Sequence, residues 1–446
     1  MAFLLRWVYT VGLTVSIPAI LLRLWWKGRT NPGYRYHWKE RLGIFVPPLQ
    51  KGGLWIHAVS VGESVAAIPI IQALLERFPH LPITITSTTP TGYARIENSF
   101  KNKEAKEKIF HVYFPYDLPL YIKRFLNRVE PRLLVLMETE LWPNCLWICK
   151  QRKIPILVVN GRLSAHSMAG YQRFKPVVKQ MLDCVSLVVA QSEEDGARFV
   201  KLGLNKKRLV VTGNIKFDVP VQEGAFVEAI QLRVAWGVLR PVWIAASTHA
   251  GEEELILAAF DELRRIFNDL LLILVPRHPE RFKPVANLLE QRGYRVVQRS
   301  SGNPVASDTQ IYLGDTMGEL GLLYAASDVA FVGGSLVPVG GHNTLEPAAL
   351  GIPVIVGPHI NNFIEITKLL TEAKALVKVS DTQSLTEAVS HWFTDRDARK
   401  LAGENGKAVV EKNRGAVDKV MELIQKQLKN NVTKTDIKGV SSAIVT

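Results

Sequence analysis

Cysteine and acid are the scarce commodities in this chain. Its three cysteines, Cys145 and Cys149 one helical turn apart and Cys184 alone, give neither the even count of a disulfide framework nor the paired spacing of a zinc site. They read as small buried thiols in a reducing compartment. No G-x-x-x-x-G-K-[ST] phosphate loop occurs and no G-x-G-x-x-G follows the first strand signal, so kinase and dehydrogenase readings lose their main support. With 41 acidic residues against 55 basic ones the formal net charge is +14. That excess points to an anionic partner, whether nucleic acid, phospholipid or a phosphorylated substrate, without choosing among them. A composition of 47% hydrophobic and 22% charged residues excludes wholesale disorder and a polytopic membrane bundle. A length of 446 residues suits two domains with sizeable cores.

The amino terminus carries the one strongly apolar stretch, WVYTVGLTVSIPAILLRLWW, uncharged from Trp7 to Leu22 and flanked by Arg6, Lys27 and Arg29. It is short for a bilayer crossing, which takes about 20 residues, although Arg6 and Arg23 can snorkel and Trp7, Trp25 and Trp26 suit an interfacial belt. No small-residue cleavage site follows it, so residues 1–30 are expected to stay as a membrane anchor. Arg23, Lys27, Arg29, Arg35, Lys39 and Arg41 face a single acid, Glu40, in the segment that follows. The positive-inside tendency therefore puts everything beyond the anchor in the cytoplasm.

After Gly52-Gly53, β-branched and apolar runs alternate with helical patterns, beginning at Leu54, Ile83, Ile109, Leu133, Ile156, Leu187 and Leu209. A second series comprises VWIAAST from Val242, LLLILVPR, YRVVQRS, IYLGDT, VAFVGGS and PVIVGP. Near-continuous apolar strands separated by helices imply parallel sheets covered on both faces. The fold class expected is α/β, with two doubly wound domains at 31–216 and 241–405 facing across a cleft and a linker or hinge at 217–240. A carboxy-terminal helix is expected at 406–430, followed by a disordered tail at 431–446. Ligands of such sheets bind beyond the carboxyl ends of the strands.

Unusual residues cluster at those strand ends. In HAVSVGES, Glu63 falls at a helix amino terminus, either merely complementing the dipole or acting as general base for an acceptor hydroxyl. Its ionised form is favoured there unless apolar surroundings raise its pKa. METELWPN puts Glu138 and Glu140 at a strand end, where paired carboxylates can position a polar substrate, hold a metal or stabilise a cationic transition state. GNIKFD places Lys216 within reach of an anion, and VPRHPER holds Arg277 between prolines, as suits a phosphate contact. GDTMGEL and VGGSLVPVGGHNTLEPAALG are the richest segments. Glycines there let backbone approach a ligand, Asn343 and Thr344 can cap the next helix, and Glu346 can accept from ribose hydroxyls. Asp395 and Asp397 form a D-x-D that reads as a solvated helix cap.

Taken together, HAVSVGE, METELWPN, GNIKFD, PRHPER, GDTMGEL and GGHNTLEPAALG closely resemble the 3-deoxy-D-manno-octulosonic acid (Kdo) transferases of lipopolysaccharide assembly, from the anchor to about residue 415. That resemblance implies the GT-B fold, with two Rossmann-like doubly wound domains, the first binding acceptor and the second the CMP-sugar donor. It also implies inverting transfer of Kdo from CMP-Kdo to the lipid A precursor, tetraacyldisaccharide 1,4'-bisphosphate (lipid IVA), with no metal or cofactor. The implied location is the cytoplasmic side of the bacterial inner membrane, against an anionic lipid surface and with no nucleic acid partner. By motif, Glu63 matches the general base, and Glu138 and Lys216 match residues that stabilise the transition state. Pro276 with Arg277, Met317, Gly318 and Glu319, and Asn343, Thr344, Leu345 and Glu346 match the CMP-binding segments. Thr344 stands where the family often has proline, a departure that leaves the cap intact. A GT-B enzyme using a UDP-sugar should lack METELWPN together with GNIKFD. A non-catalytic nucleotide or lipid binder has no reason to keep Glu63 and Glu138.

Overall fold

The computed structural model describes residues 2–29, 32–219 and 223–440. They form two compact units, Met1–Asp218 with Arg414–Thr446, and Val219–Asn413. In the first unit the strands are β1 Leu54–Ala58, β2 Ile83–Ser87, β3 Ile109–Tyr113, β4 Leu133–Met137, β5 Ile156–Gly161, β6 Leu187–Ala190 and β7 Leu209–Val211. They pair in parallel in the order β3-β2-β1-β4-β5-β6-β7. The chain starts in the middle, winds outward to β3, returns to β4 and winds the other way. The order therefore reverses between β1 and β4, leaving a crevice beyond their carboxyl ends.

Burial explains the strand composition. Alternate residues of one strand feed different cores: Leu54 and Ile56 join Ile70, Ile71 and Leu74 on one face, while Trp55 joins Phe125, Leu126 and Cys149 on the other. With both faces covered, the strands need apolar residues at nearly every position. Cys145 and Cys149 are buried free thiols.

The second unit repeats the plan with β8 Val242–Thr248, β9 Leu271–Pro276, β10 Val296–Gln298, β11 Ile311–Leu313, β12 Val329–Val332, β13 Val354–Val356 and β14 Leu376–Lys378. Its parallel order is β10-β11-β9-β8-β12-β13-β14, so here the reversal lies between β8 and β12. The seventh strand, β14, was not expected from sequence.

The stretch 217–240 holds helix Glu223–Trp236, whose Ala229 and Trp236 are core residues of the second unit. Towards the carboxyl end the chain forms two helices, Arg396–Asn413 in the second unit and Ala416–Val440 in the first. They break at Gly415, whose φ of 91° favours glycine. Asp218 ties the return, accepting hydrogen bonds from the backbone of Gly415 and Val417, both at 2.6 Å. Of the tail expected to be disordered, 441–446 lie outside the described residues. Asp395 accepts from Ala398 N at 2.8 Å, a helix cap. At the other end, helix Ala2–Lys27 belongs to the first unit.

Candidate active site

Two residues of the first unit flank its strand-order reversal. Ser60 caps helix Val61–Arg77, its Oγ accepting from Glu63 N at 3.3 Å. Glu63 returns the contact in capping-box fashion. Its Oε1 accepts from Ser60 Oγ at 2.9 Å and its Oε2 from Val59 N at 2.8 Å. Glu63 is only 5% exposed. Burial, with Glu140 and Glu138 adding repulsion against the hydrogen bonds from Val59 and Ser60, pushes its pKa up to about 7. The dipole effect expected from sequence is therefore outweighed.

From β4 the chain turns at Glu138, whose φ of 54° puts a non-glycine residue in the left-handed region. The cost is of order 1–2 kcal/mol. Glu140, two residues on, also has a pKa raised to about 7 by burial first and by Glu138 second. Three carboxylates thus share one sheet end and repel one another. Within it Glu63 and Glu140 are both raised to about 7, the range a general base requires. His57 of the same motif plays no such part: fully buried and stacked 4.1 Å from Phe114, it is held neutral by burial, its pKa down at about 3.

Lys216 follows β7, the sheet edge, three strands from β4. The short turn Ile215–Phe217 folds back toward the centre because Asn160, at the end of β5, accepts from Ile215 N at 3.1 Å. Asn160 itself has φ 57° beside a register shift in β5. Sequence reasoning missed it; an asparagine within an apolar strand was the available signal.

In the second unit the expected segments follow β9, β11 and β12. Pro276 ends β9 and Arg277 succeeds it, its N donating to Thr248 O at 3.0 Å. Met317, Gly318 and Glu319 follow β11, Gly318 taking φ 89° and Met317 standing exposed. Asn343, Thr344, Leu345 and Glu346 follow β12. All emerge at the carboxyl edge of β11-β9-β8-β12, around the reversal. Glycine is required at Gly333, where a Cβ would lie 2.6 Å from Ser247 O.

Details differ from expectation. Asn343 alone caps, its Oδ1 accepting from Leu345 N at 3.2 Å, while the buried Thr344 hydroxyl has no partner among the described residues. The helix that follows, Leu345–Ala349, is five residues long, too short for a substantial dipole. Asn343 Nδ2 donates to Glu346 Oε1 at 3.0 Å, fixing that carboxylate. Glu319 is engaged by Arg299, Nη2 to Oε1 at 2.7 Å, and by Thr316. Its side chain holds the loop, in which Met317 and Gly318 are exposed.

Two further features lay beyond sequence reasoning. Glu252, fully buried, accepts from four backbone N–H groups: His249 at 3.0 Å, Gly334 at 2.7 Å, Ser335 at 2.9 Å and Leu336 at 2.9 Å. It locks the loop after β8 to the loop after β12. Beside it, His249 and His342 stack with Nε2 atoms 2.8 Å apart, and His278 meets His249 edge-on at 5.4 Å. Burial, then Arg277 and the other imidazoles, lowers His342 to about 3. At neutral pH one ring of the pair therefore donates N–H to the other.

The architecture is that of a GT-B protein. A solved structure of UDP-GlcNAc 2-epimerase from Neisseria meningitidis bound to UDP-GlcNAc matches with a TM-score of 0.53 at 15% identity, over 84% of this chain and 100% of that one. That likeness establishes the fold alone. Residues 36–219 match the family model for 3-deoxy-D-manno-octulosonic-acid transferase, and residues 252–409 that for glycosyl transferases group 1. The 3-deoxy-D-manno-octulosonic acid transferase of Haemophilus influenzae is 42% identical over 432 residues, 96% of this chain and 100% of that protein. Its counterpart in Bordetella pertussis is 35% identical, over 94% and 99% respectively. The chain belongs to the Kdo transferase family of glycosyltransferases.

Proposed function

We propose that the protein transfers Kdo from CMP-Kdo to lipid IVA, inverting the anomeric centre and using no metal, on the cytoplasmic face of the inner membrane. The first unit binds acceptor and the second binds the CMP moiety. The observation that carries this reading is Glu63, a buried carboxyl at the first unit's reversal point with a pKa near 7. Ionised, it takes the proton of the acceptor's primary hydroxyl, whose oxygen attacks the anomeric carbon as CMP leaves. Positive charge develops on the Kdo ring at that moment, and a carboxylate such as Glu138 favours it. Lys216, Arg277 and the donor-loop backbone offset the Kdo carboxylate and the departing phosphate. The basic run from Arg23 to Arg41 supports cytoplasmic placement.

The test is incubation of the purified enzyme with labelled CMP-Kdo and lipid IVA in detergent with a chelator, the products being weighed by mass spectrometry. A lipid heavier by one or more Kdo residues is expected, and UDP-sugars should give none. No mass gain with CMP-Kdo, or a gain only with added divalent metal, refutes the corresponding part.

A further inference from the structure

Helix Ala2–Lys27 is long enough to cross a bilayer, being about 39 Å at 1.5 Å per residue. Yet it is packed sideways onto the first unit. Arg6, Tyr9, Leu13, Ile17, Ile20 and Leu24, spaced three and four apart on one face, are turned inward and partly or fully buried. The helix packs against helices Pro143–Gln151 and Lys175–Leu182. The contacts are specific. The Arg6 guanidinium lies 3.5 Å over the Trp147 ring, and the buried Asn144 amide donates to Thr10 Oγ1 at 3.0 Å. Asp117, 1% exposed, accepts from Asn144 N at 2.9 Å and Cys145 N at 2.7 Å and is hydrogen-bonded by the Tyr9 side chain. Pulling the helix away would strip a buried carboxylate of one of its donors.

The opposite face is apolar and uncovered. Trp7, Val11, Val15, Leu22 and Trp26 stand exposed, Val15 at 75%. At its end Arg29 and Arg35 lie 4.9 and 5.2 Å from the Trp25 ring, and Lys27 5.5 Å from that of Tyr34. An apolar stripe edged by tryptophans and cations is what a headgroup–acyl boundary of anionic lipid accommodates.

We propose that this helix does not span the bilayer: it stays docked on the first unit and lies in the plane of one leaflet, presenting the stripe Trp7, Val11, Val15, Leu22 and Trp26 to an anionic lipid surface. Docking and spanning exclude each other, since the covered face runs from Arg6 to Leu24, roughly 27 Å of helix. Asn144 lies in the same METELWPN motif as Glu138 and Glu140. The junction therefore fixes the bilayer plane relative to those carboxylates, which a free tether would not do.

The inference rests on the membrane attachment proposed above, and the experiment separates the two. Full-length protein carrying Cys184→Ser, with the buried Cys145 and Cys149 left native, is reconstituted into sealed vesicles of phosphatidylethanolamine and phosphatidylglycerol. Single cysteines are introduced as Ala2→Cys or, on the exposed surface of the first unit, Lys101→Cys. A membrane-impermeant maleimide added outside should label both to the same fraction of the detergent-permeabilised value. Protection of Ala2→Cys until detergent is added, with Lys101→Cys already labelled, shows a spanning helix and overturns the proposal. A fluorophore on Val15→Cys should be quenched most strongly by lipids brominated near the headgroup, at the same depth as one on Trp7→Cys. Quenching deepest at the bilayer centre overturns it as well. Failure of the protein to float with the vesicles removes membrane attachment itself, and with it this proposal, while Kdo transfer on detergent-dispersed acceptor is read independently.

Discussion

Replacing Glu63 by glutamine should cost activity and raise stability, because both effects come from one buried charge. The carboxyl titrates near 7 in the fold against an ordinary value of 4.5, a difference of about 3 kcal/mol at 1.36 kcal/mol per unit. The sign follows from which state holds the proton. Below pH 4.5 the group is neutral folded and unfolded, and the fold bears no penalty. As pH rises from 4.5 to 7 the unfolded chain ionises first and stability falls; above 7 the loss is complete and constant. Glutamine is neutral throughout, can still accept from Val59 N–H, and can donate to Ser60 Oγ, so the cap survives. The variant should match wild type at pH 4 and exceed it by about 3 kcal/mol at pH 8, discounted for any water the site admits. Transfer should fall by about 10² to 10⁴. Thermal unfolding at the two pH values, with single-turnover transfer at pH 8, measures both. A variant retaining more than about a tenth of wild-type rate, or one whose stability change is the same at both pH values, refutes the reasoning.

Glu140→Gln should move the acidic limb of the kcat/KM profile to lower pH, since Glu140 is the leading charge raising Glu63; an unmoved limb between pH 5 and 9 rejects the coupling. Glu252→Ala should destabilise the second unit severely, by several kcal/mol at about 1–3 kcal/mol per orphaned N–H, with Glu252→Gln milder. Denaturant midpoints decide this, and a shift under about 1 kcal/mol would mean that water replaces the carboxylate. Arg277→Ala should weaken CMP binding by about 1.5–3 kcal/mol, read by calorimetry, and an unchanged titration would take Arg277 out of the nucleotide site.

All seven strands of the first sheet and six of the second were legible as apolar runs, because strands buried on both faces leave no room for polar residues. The strand that escaped, β14, has three residues, of which only Leu376 is buried and Lys378 is charged, so its apolar run is only two residues long. The carboxylates Glu63, Glu138 and Glu140 were legible as acids at strand ends. The raised pKa values of Glu63 and Glu140 were not, since burial and mutual approach arise only when β1 and β4 become neighbours. His249 and His342 are 93 residues apart, and only the adjacency of β8 and β12 stacks them. Glu252 is one of three acids in a helix's first turn, where an ordinary dipole complement would stand equally well. The amino-terminal helix is apolar all round, and such a pattern reports that both faces are out of water. It does not say that one face meets protein while the other stays uncovered.

Backbone strain is the other property that the sequence conceals, and its location is informative. In the first unit the left-handed residue at the reversal is Glu138, at the end of β4; in the second it is Ser247, φ 59°, at a register shift near the end of β8. Neither is glycine, so each costs of order 1–2 kcal/mol that a glycine would avoid. At Ser247 the consequence is visible, for the close approach of Gly333 to its carbonyl joins the loops that Glu252 then locks. At Glu138 a glycine would relieve the turn but remove the carboxylate nearest the end of β4. Strain that persists where relief would delete the carboxylate supports the role proposed for Glu138. The left-handed turn re-aims the chain so that Glu140 also reaches the charge cluster which lifts Glu63 toward neutrality.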